Sequence, residues 1–321
     1  MSQNRVKRVL VTGASGRIGR VLVPKLLSRG YRVSALVHRK SLPPEWQNEV
    51  DVVASPMTSA DGVSEALDGA DVVCHLAGLM PPNPDEDIFH TNIEATWRLL
   101  QAAAAATSKP RFVFASSDAT YCTGWSKNAW SAPIGEEASQ HPMNFYGLSK
   151  VIGEKLCYHF EDIYKVPTVR VRLVWILEAP EVMDLFIGAP YREFLVQGDK
   201  EVWDKPNIVQ LPLEENGNPF REHICDVRDA AEGVLLAVEK EDALGEVFNI
   251  AGPAAFTYTD AAPWLAKHLG VEAISGRCKG LHSYEVSIEK AHAILGYQPK
   301  FSVYQSLEDA LLQRTLIPLK A

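Results

Sequence analysis

A doubly wound α/β fold, with helices on both faces of a parallel sheet and a smaller C-terminal lobe, is predicted by three observations. Short apolar runs of strand length alternate with stretches of helical spacing up to about Ile176. The first apolar run ends in a glycine turn that opens directly into a helix. The pattern then turns irregular from Leu177 to Pro219 and resumes after Arg221, as expected where a lobe is inserted late in such a sheet.

The most informative stretch is Val9-Leu-Val-Thr-Gly-Ala-Ser-Gly-Arg-Ile-Gly-Arg20. Val9 to Val11 read as a buried strand. Gly13, Gly16 and Gly19 follow, then Val21, Leu22, Leu26 and Leu27 at helical spacing, and Gly30 closes the run. Strand, glycine turn and helix in that order suit a dinucleotide. The turn must be tight, the backbone must approach a pyrophosphate, and the helix N-terminus must offer it free N–H groups. Gly13, Ser15, Gly16, Arg17, Ile18 and Gly19 are therefore the candidate cofactor-binding turn of a Rossmann-type domain.

Composition narrows the partners. The 321 residues are 46% hydrophobic and 22% charged, an ordinary globular balance. The net charge of −8, without a basic run, argues against nucleic acid and anionic membranes. No signal-peptide pattern and no apolar run of transmembrane length is visible. Five cysteines without a Cys-x-x-Cys pair read as reduced thiols in a cytoplasmic protein. No metal site is expected. The anticipated partner is a small-molecule substrate, and a homodimer is left open.

The spacing Gly-x-x-Gly-x-x-Gly, together with Thr12, resembles the short-chain dehydrogenase/reductase superfamily. Further matches along the chain narrow the resemblance to its extended branch, the NAD(P)-dependent epimerase/dehydratase-like proteins. It is strong up to Ile176, weak from Leu177 to Pro219, and recognisable again from Arg221 to about Phe301. It implies a dinucleotide-binding domain over residues 1–176. Residues 177–321 would then be mainly a substrate-binding lobe, with segments around 220–250 returning to the sheet.

The resemblance assigns residues in chain order. Tyr31 to Val37 reads as the second strand, and NAD-binding relatives carry an Asp or Glu at its end to hold the adenine ribose. Here Val37 stands there, followed by His38 and Arg39. A guanidinium pairs with a ribose 2′-phosphate where a carboxylate would repel it, so NADP is favoured over NAD, with Arg17 as a second candidate. Asp71-Val-Val-Cys-His-Leu-Ala-Gly78 resembles the segment whose backbone at Leu76, Ala77 and Gly78 lies along the cofactor. Asn92, on a long helix read from Asp87, matches an asparagine that supports the active-site backbone and the nicotinamide ribose.

Ser116-Ser-Asp-Ala-Thr-Tyr121 resembles the family's Ser-Ser-x-x-x-Tyr segment, which makes Ser117 the catalytic hydroxyl and places Asp118 at the substrate. Dehydratases carry Asp-Glu at that point. Ala119 occupies the Glu place, so sugar 4,6-dehydration is disfavoured. Trp125 and Trp130, in the loop that follows, either line a substrate mouth or cover the core. Tyr146 and Lys150 are four apart on one helix face and complete the family's Tyr-x-x-x-Lys pair. Trp175 stands where sugar-nucleotide members have Asn. Arg221, in Phe220-Arg-Glu-His-Ile-Cys-Asp-Val-Arg-Asp229, matches an arginine that often binds a substrate phosphate. Its alternative is a structural arginine tied to Glu222 or Asp226.

These groups allow hydride transfer at a secondary alcohol or ketone. Tyrosine is a weak base at its ordinary pKa of about 10, and the nearby Lys150 ammonium favours its ionised form. Ser117 would hold the substrate oxygen. The leading reading is an NAD(P)-dependent oxidoreductase acting on a sugar-like or other small carbonyl substrate. The alternatives are a nucleotide-sugar epimerase that retains NAD, and a non-catalytic NADP-binding regulatory protein on the same fold.

Overall fold

Strands that are apolar at successive positions need cover on both faces. In the computed structural model, which describes residues 7–38, 41–121, 123 and 133–316, seven strands form the central sheet, and all but the edge strand at Val50–Ala54 are largely buried. They are β1 (Arg8–Thr12), β2 (Arg32–Val37), β3 (Val50–Ala54), β4 (Val72–His75), β5 (Arg111–Ser117), β6 (Thr168–Leu173) and β7 (Val247–Ile250). All pair in parallel, in the spatial order β7-β6-β5-β4-β1-β2-β3. The principal helices are α1 (Arg17–Ser28), α2 (Ala60–Leu67), α3 (Ala95–Ala105), α4 (Phe145–Tyr164), α5 (Ala179–Ile187) and α6 (Val227–Glu239).

Side chains alternate between the two faces along each strand. Val9, Val11, Val113 and Val171 pack with Leu22 and Leu26 of α1 and with Val234 and Leu235 of α6. Leu10, Val73, Phe112 and Phe114 pack with Ala66 of α2, Leu99 and Leu100 of α3, and Cys157 and Phe160 of α4. Gly153 lets α4 come close, because a Cβ there would stand 2.3 Å from Phe114 Cζ. The strand order departs from β1 in both directions, so a crevice opens at the C-terminal ends of β1 and β4.

Two sequence-based expectations need correction. The helix read as continuous from Asp87 begins with a short turn at Asp85–Ile88 and passes through a π-helical segment at Phe89–Glu94 before α3. The segment 177–219, read as irregular, holds α5 and the strands Leu195–Gln197 and Ile208–Glu214. Those strands flank Glu272–Cys278 in a separate three-stranded sheet. These elements are short, and they are stabilised by contacts distant in sequence, around Phe186, Tyr191, Trp203, Phe220 and Tyr258. The four described cysteines are buried free thiols.

One ion pair lies inside the domain beneath α4. Arg172 Nε and Nη2 donate to the two carboxylate oxygens of Glu154 at 2.8 and 2.7 Å, with the side chains 5% and 1% exposed. Ser116 Oγ and Gln140 Nε2 donate to the same carboxylate at 2.5 and 2.7 Å. Arg172 also donates to the Tyr121 hydroxyl, which in turn donates to Asn249 Oδ1 at 2.9 Å. Glu154→Ala leaves a buried guanidinium without its counter-charge. A loss of about 3–5 kcal/mol in unfolding free energy is expected from urea titration. A loss below about 1 kcal/mol would show that water reaches Arg172 and solvates it.

Candidate active site

The glycine turn is pressed against the turn that follows β4. Gly13 has φ +73°, and a Cβ on it would stand 2.8 Å from the Ala77 backbone nitrogen. A Cβ on Gly19 would stand 2.4 Å from the Ala14 carbonyl oxygen. Gly16 begins α1 with no side-chain cap, and no acidic residue lies in the first turn. The helix N-terminus therefore keeps its donors and its partial positive charge for an anion.

A neutral histidine joins β1, β4 and the helix beyond. His75 lies between Thr12 Oγ1, 2.7 Å from Nδ1, and Thr96 Oγ1, 2.8 Å from Nε2. Thr96 donates its own proton to the Asn92 carbonyl at 2.6 Å, so Nε2 must be the donor and Nδ1 the acceptor. Burial pushes the His75 pKa down to about 3, and the nearby Lys150 charge acts in the same direction. Sequence reading did not single out His75. Its signal was a polar residue ending an otherwise apolar strand.

Asn92, 1% exposed, is drawn inward by the π-helical segment. Its Oδ1 accepts from Leu79 N–H at 2.7 Å, and its Nδ2 donates to Leu79 O and Ser149 Oγ, both at 2.9 Å. It thus ties the loop after β4, including Gly78, to α4. Lys150 Nζ donates to Ala115 O at 2.8 Å and stands 3.1 Å from where a Cβ on Gly78 would be. Burial lowers the Lys150 pKa to about 8, against a smaller opposing effect of Glu154 one turn along α4. The group remains mostly an ammonium at pH 7.

Ser117 ends β5, and its hydroxyl donates to Asp118 Oδ1 at 3.1 Å while accepting from Ala119 N–H at 3.1 Å. Tyr146 sits in the first turn of α4, whose N-terminus is capped by Asn144 Oδ1 accepting from Gly147 N–H at 2.8 Å. Burial pushes the Tyr146 pKa up to about 12. A hydrogen bond with Ser117 opposes this shift, and the Asp118 charge reinforces it. Lys150 Nζ lies 5.7 Å from the centre of the Tyr146 ring and is turned to Ala115. In this state burial prevails, and Tyr146 is a phenol rather than a phenolate.

On the substrate side, Asp118 is 8% exposed and accepts from Thr123 Oγ1 at 2.8 Å and from the Trp175 backbone. Burial raises its pKa. Trp175 is thereby brought beside Ser117 with its side chain partly exposed. The structure overturns the structural alternative for Arg221. It is exposed and faces Glu285 Oε2 at 3.4 Å, not Glu222 or Asp226. Glu222 turns into the lobe to accept from Tyr191 and Tyr258, and Asp226 caps α6 and pairs with Arg228. None of the described contacts of Arg221 is with Ser117, Asp118 or Tyr146.

The 2′-phosphate expectation changes at Arg17. Its guanidinium donates to Ile176 O at 2.6 Å and to the Glu181 carboxylate, so its charge is already paired. His38 is exposed at the end of β2. Arg39, Trp125 and Trp130 lie outside the described residues. Ser15 and Ile18, in the turn, and Leu76 and Ala77, after β4, are half-buried along the crevice. The uncapped helix, the glycine cradle and the room left by Gly78 beside Lys150 fit a nicotinamide dinucleotide.

The buried ammonium has a consequence for stability. Lys150 binds its proton less tightly folded (pKa about 8) than unfolded (10.5), a difference worth about 3 kcal/mol. The stability cost is fully present below pH 8 and fades as pH rises towards 10.5. Lys150→Met should therefore gain stability relative to the native chain as pH falls from about 10.5 to 8, with no further gain below. Thermal unfolding across that range tests this. A pH-independent difference would mean that the amine is solvated.

A model of the NAD dependent epimerase/dehydratase family matches residues 9–251. An L-arabinose 1-dehydrogenase (NAD(P)(+)) of Haloferax volcanii is 33% identical over 190 residues, covering 55% of this chain and 70% of the relative. An uncharacterised UDP-glucose epimerase of Bacillus subtilis is 27% identical, covering 95% of this chain and 96% of the relative. A solved short-chain dehydrogenase/reductase superfamily protein from Agrobacterium tumefaciens, with bound NAD, superposes with a TM-score of 0.83 at 28% identity, covering 96% and 97% of the two chains. Among the described residues, no helix is long and apolar enough to cross a membrane. The chain belongs to the NAD-dependent epimerase/dehydratase family of the short-chain dehydrogenase/reductase superfamily, as an NAD(P)-dependent enzyme of the oxidoreductase and epimerase kind.

Proposed function

We propose that this enzyme transfers a hydride at a secondary alcohol or ketone of a sugar-like or other small carbonyl substrate, with Tyr146, Ser117 and Lys150 as its catalytic residues. The observation that carries this is the meeting of Tyr146, Ser117 and the Lys150 ammonium beside Gly78, at the end of the glycine-lined crevice. The nicotinamide, when bound, supplies or accepts the hydride. Tyr146, held as a phenol, gives its proton to the carbonyl oxygen of a ketone, and Ser117 holds that oxygen. In the oxidative direction Tyr146 takes the carbinol proton, and Lys150 is the cation that favours the phenolate. Asp118 and Trp175, at the same end, would contact the substrate.

The similarity to the arabinose dehydrogenase supports a sugar-like substrate. The near full-length similarity to the Bacillus subtilis epimerase supports the second reading, an epimerase that retains its cofactor. Trp175, in the place of the asparagine of sugar-nucleotide members, favours the first. A non-catalytic role is disfavoured because both Tyr146 and Lys150 are present. The buried free thiols support a cytoplasmic location.

Tyr146→Phe should lower kcat by at least about 10²-fold while keeping cofactor affinity. Turnover near that of the native enzyme would remove Tyr146 from catalysis.

For the cofactor, we favour NADP over NAD. Val37 offers no carboxylate to a ribose diol, and with Arg17 paired the preference falls to Arg39. One charge-assisted hydrogen bond contributes about 1.5–3 kcal/mol, roughly ten- to a hundredfold in affinity. Calorimetric titration should show NADP(H) binding more tightly by that factor, and Arg39→Ala should erase most of the difference. Equal affinities, or a preference for NAD(H), would bring the NAD-retaining epimerase to the front.

A further inference from the structure

The pairing of Arg17 ties the glycine turn to the segment that leads into the lobe. Arg17 begins α1 at the glycine turn, beside β1. Ile176 stands three residues beyond the end of β6. β6 lies three strands from β1 in the sheet, roughly 14 Å at ordinary strand spacing. An arginine side chain does not cover that distance alone. The contact at 2.6 Å therefore means that the chain after β6 comes back towards the glycine turn.

The acidic partner is held firmly on the lobe side. Glu181 lies in the first turn of α5, and its second carboxylate oxygen accepts from Glu178 N–H at 2.8 Å in a capping box. The cation is thus fixed to the nucleotide turn and the anion to the lobe. A dinucleotide lying from the α1 N-terminus to Tyr146 and Lys150 would pass under their contact.

We propose that Arg17 and Glu181 form a clasp that closes the cofactor crevice and slows cofactor exchange. This rests on the reading of the crevice as an NAD(P) site. The two side chains are 40% and 37% exposed, so the pair adds little to folding stability. It adds instead to the barrier for entry and release, because the contact must open at each event. Being partly exposed, it weakens as salt rises. The residence time of the cofactor is also what separates an enzyme that exchanges it at each turnover from one that retains it.

Glu181→Gln removes the charge and keeps an acceptor for Glu178 N–H. Stopped-flow fluorescence of NADH and NADPH, with the full chain, reads release directly. The variant should release the reduced cofactor roughly three- to fivefold faster and admit it faster, with the thermal midpoint held within about 1 °C. Raising salt from about 0.05 to 0.5 M should speed release from the native protein and leave the variant nearly unchanged. An unchanged release rate overturns the clasp. Slower release with tighter binding also overturns it, since Glu181 would then be competing with the cofactor for Arg17. If the native protein binds neither NADH nor NADPH, the reading of the crevice itself fails, a result distinct from both.

Discussion

The site depends on how closely the turn after β1 approaches the turn after β4. Strand order departs from β1 in opposite directions, so these two turns part to make the crevice, yet they begin in contact. A Cβ at Gly13 would push into the Ala77 backbone at 2.8 Å. That push would move Gly78, and Gly78 sets the space occupied by Lys150 Nζ and Asn92 Oδ1. The Thr12–His75–Thr96 chain spans the same two strands from beneath. One backbone contact therefore fixes the relative positions of the glycine turn, the loop after β4 and α4.

Charge is concentrated at the edge that this contact creates. The interior on both faces is built from Val, Leu, Ala and Phe, while Lys150 and the Glu154–Arg172 pair line up along α4 and β6. The same burial that lowers Lys150 raises Tyr146. Low polarity thus works on the two groups in opposite directions, driving apart an amine and a phenol whose proton affinities in water are nearly equal. Such a site is obtained against folding stability, which is recovered elsewhere in the core.

Much of this was legible along the chain. Buried parallel strands show as unbroken apolar runs, and the glycine turn and the Tyr146–Lys150 pair are local patterns whose geometry follows from a strand–turn–helix and from one helical turn. The π-helical segment was not legible, because Asn92 is drawn inward by Leu79 and Ser149, and that pull has no signature in residue spacing. Residues 177–219 were read as irregular because their strands and nine-residue helix are too short for periodicity to show.

The sequence by itself determined the order of strands and helices in the sheet domain and the glycine turn, because each is written in neighbouring residues. Only the tertiary structure decided which charges are free. Arg17, at the glycine turn, is paired with Glu181, 164 residues away in the chain. Arg221 looks tied to its neighbours until Glu285 is brought up and Glu222 is turned towards Tyr191 and Tyr258. The protonation of Tyr146, Lys150 and His75 likewise follows from burial, which is a property of the packed chain and not of any local motif.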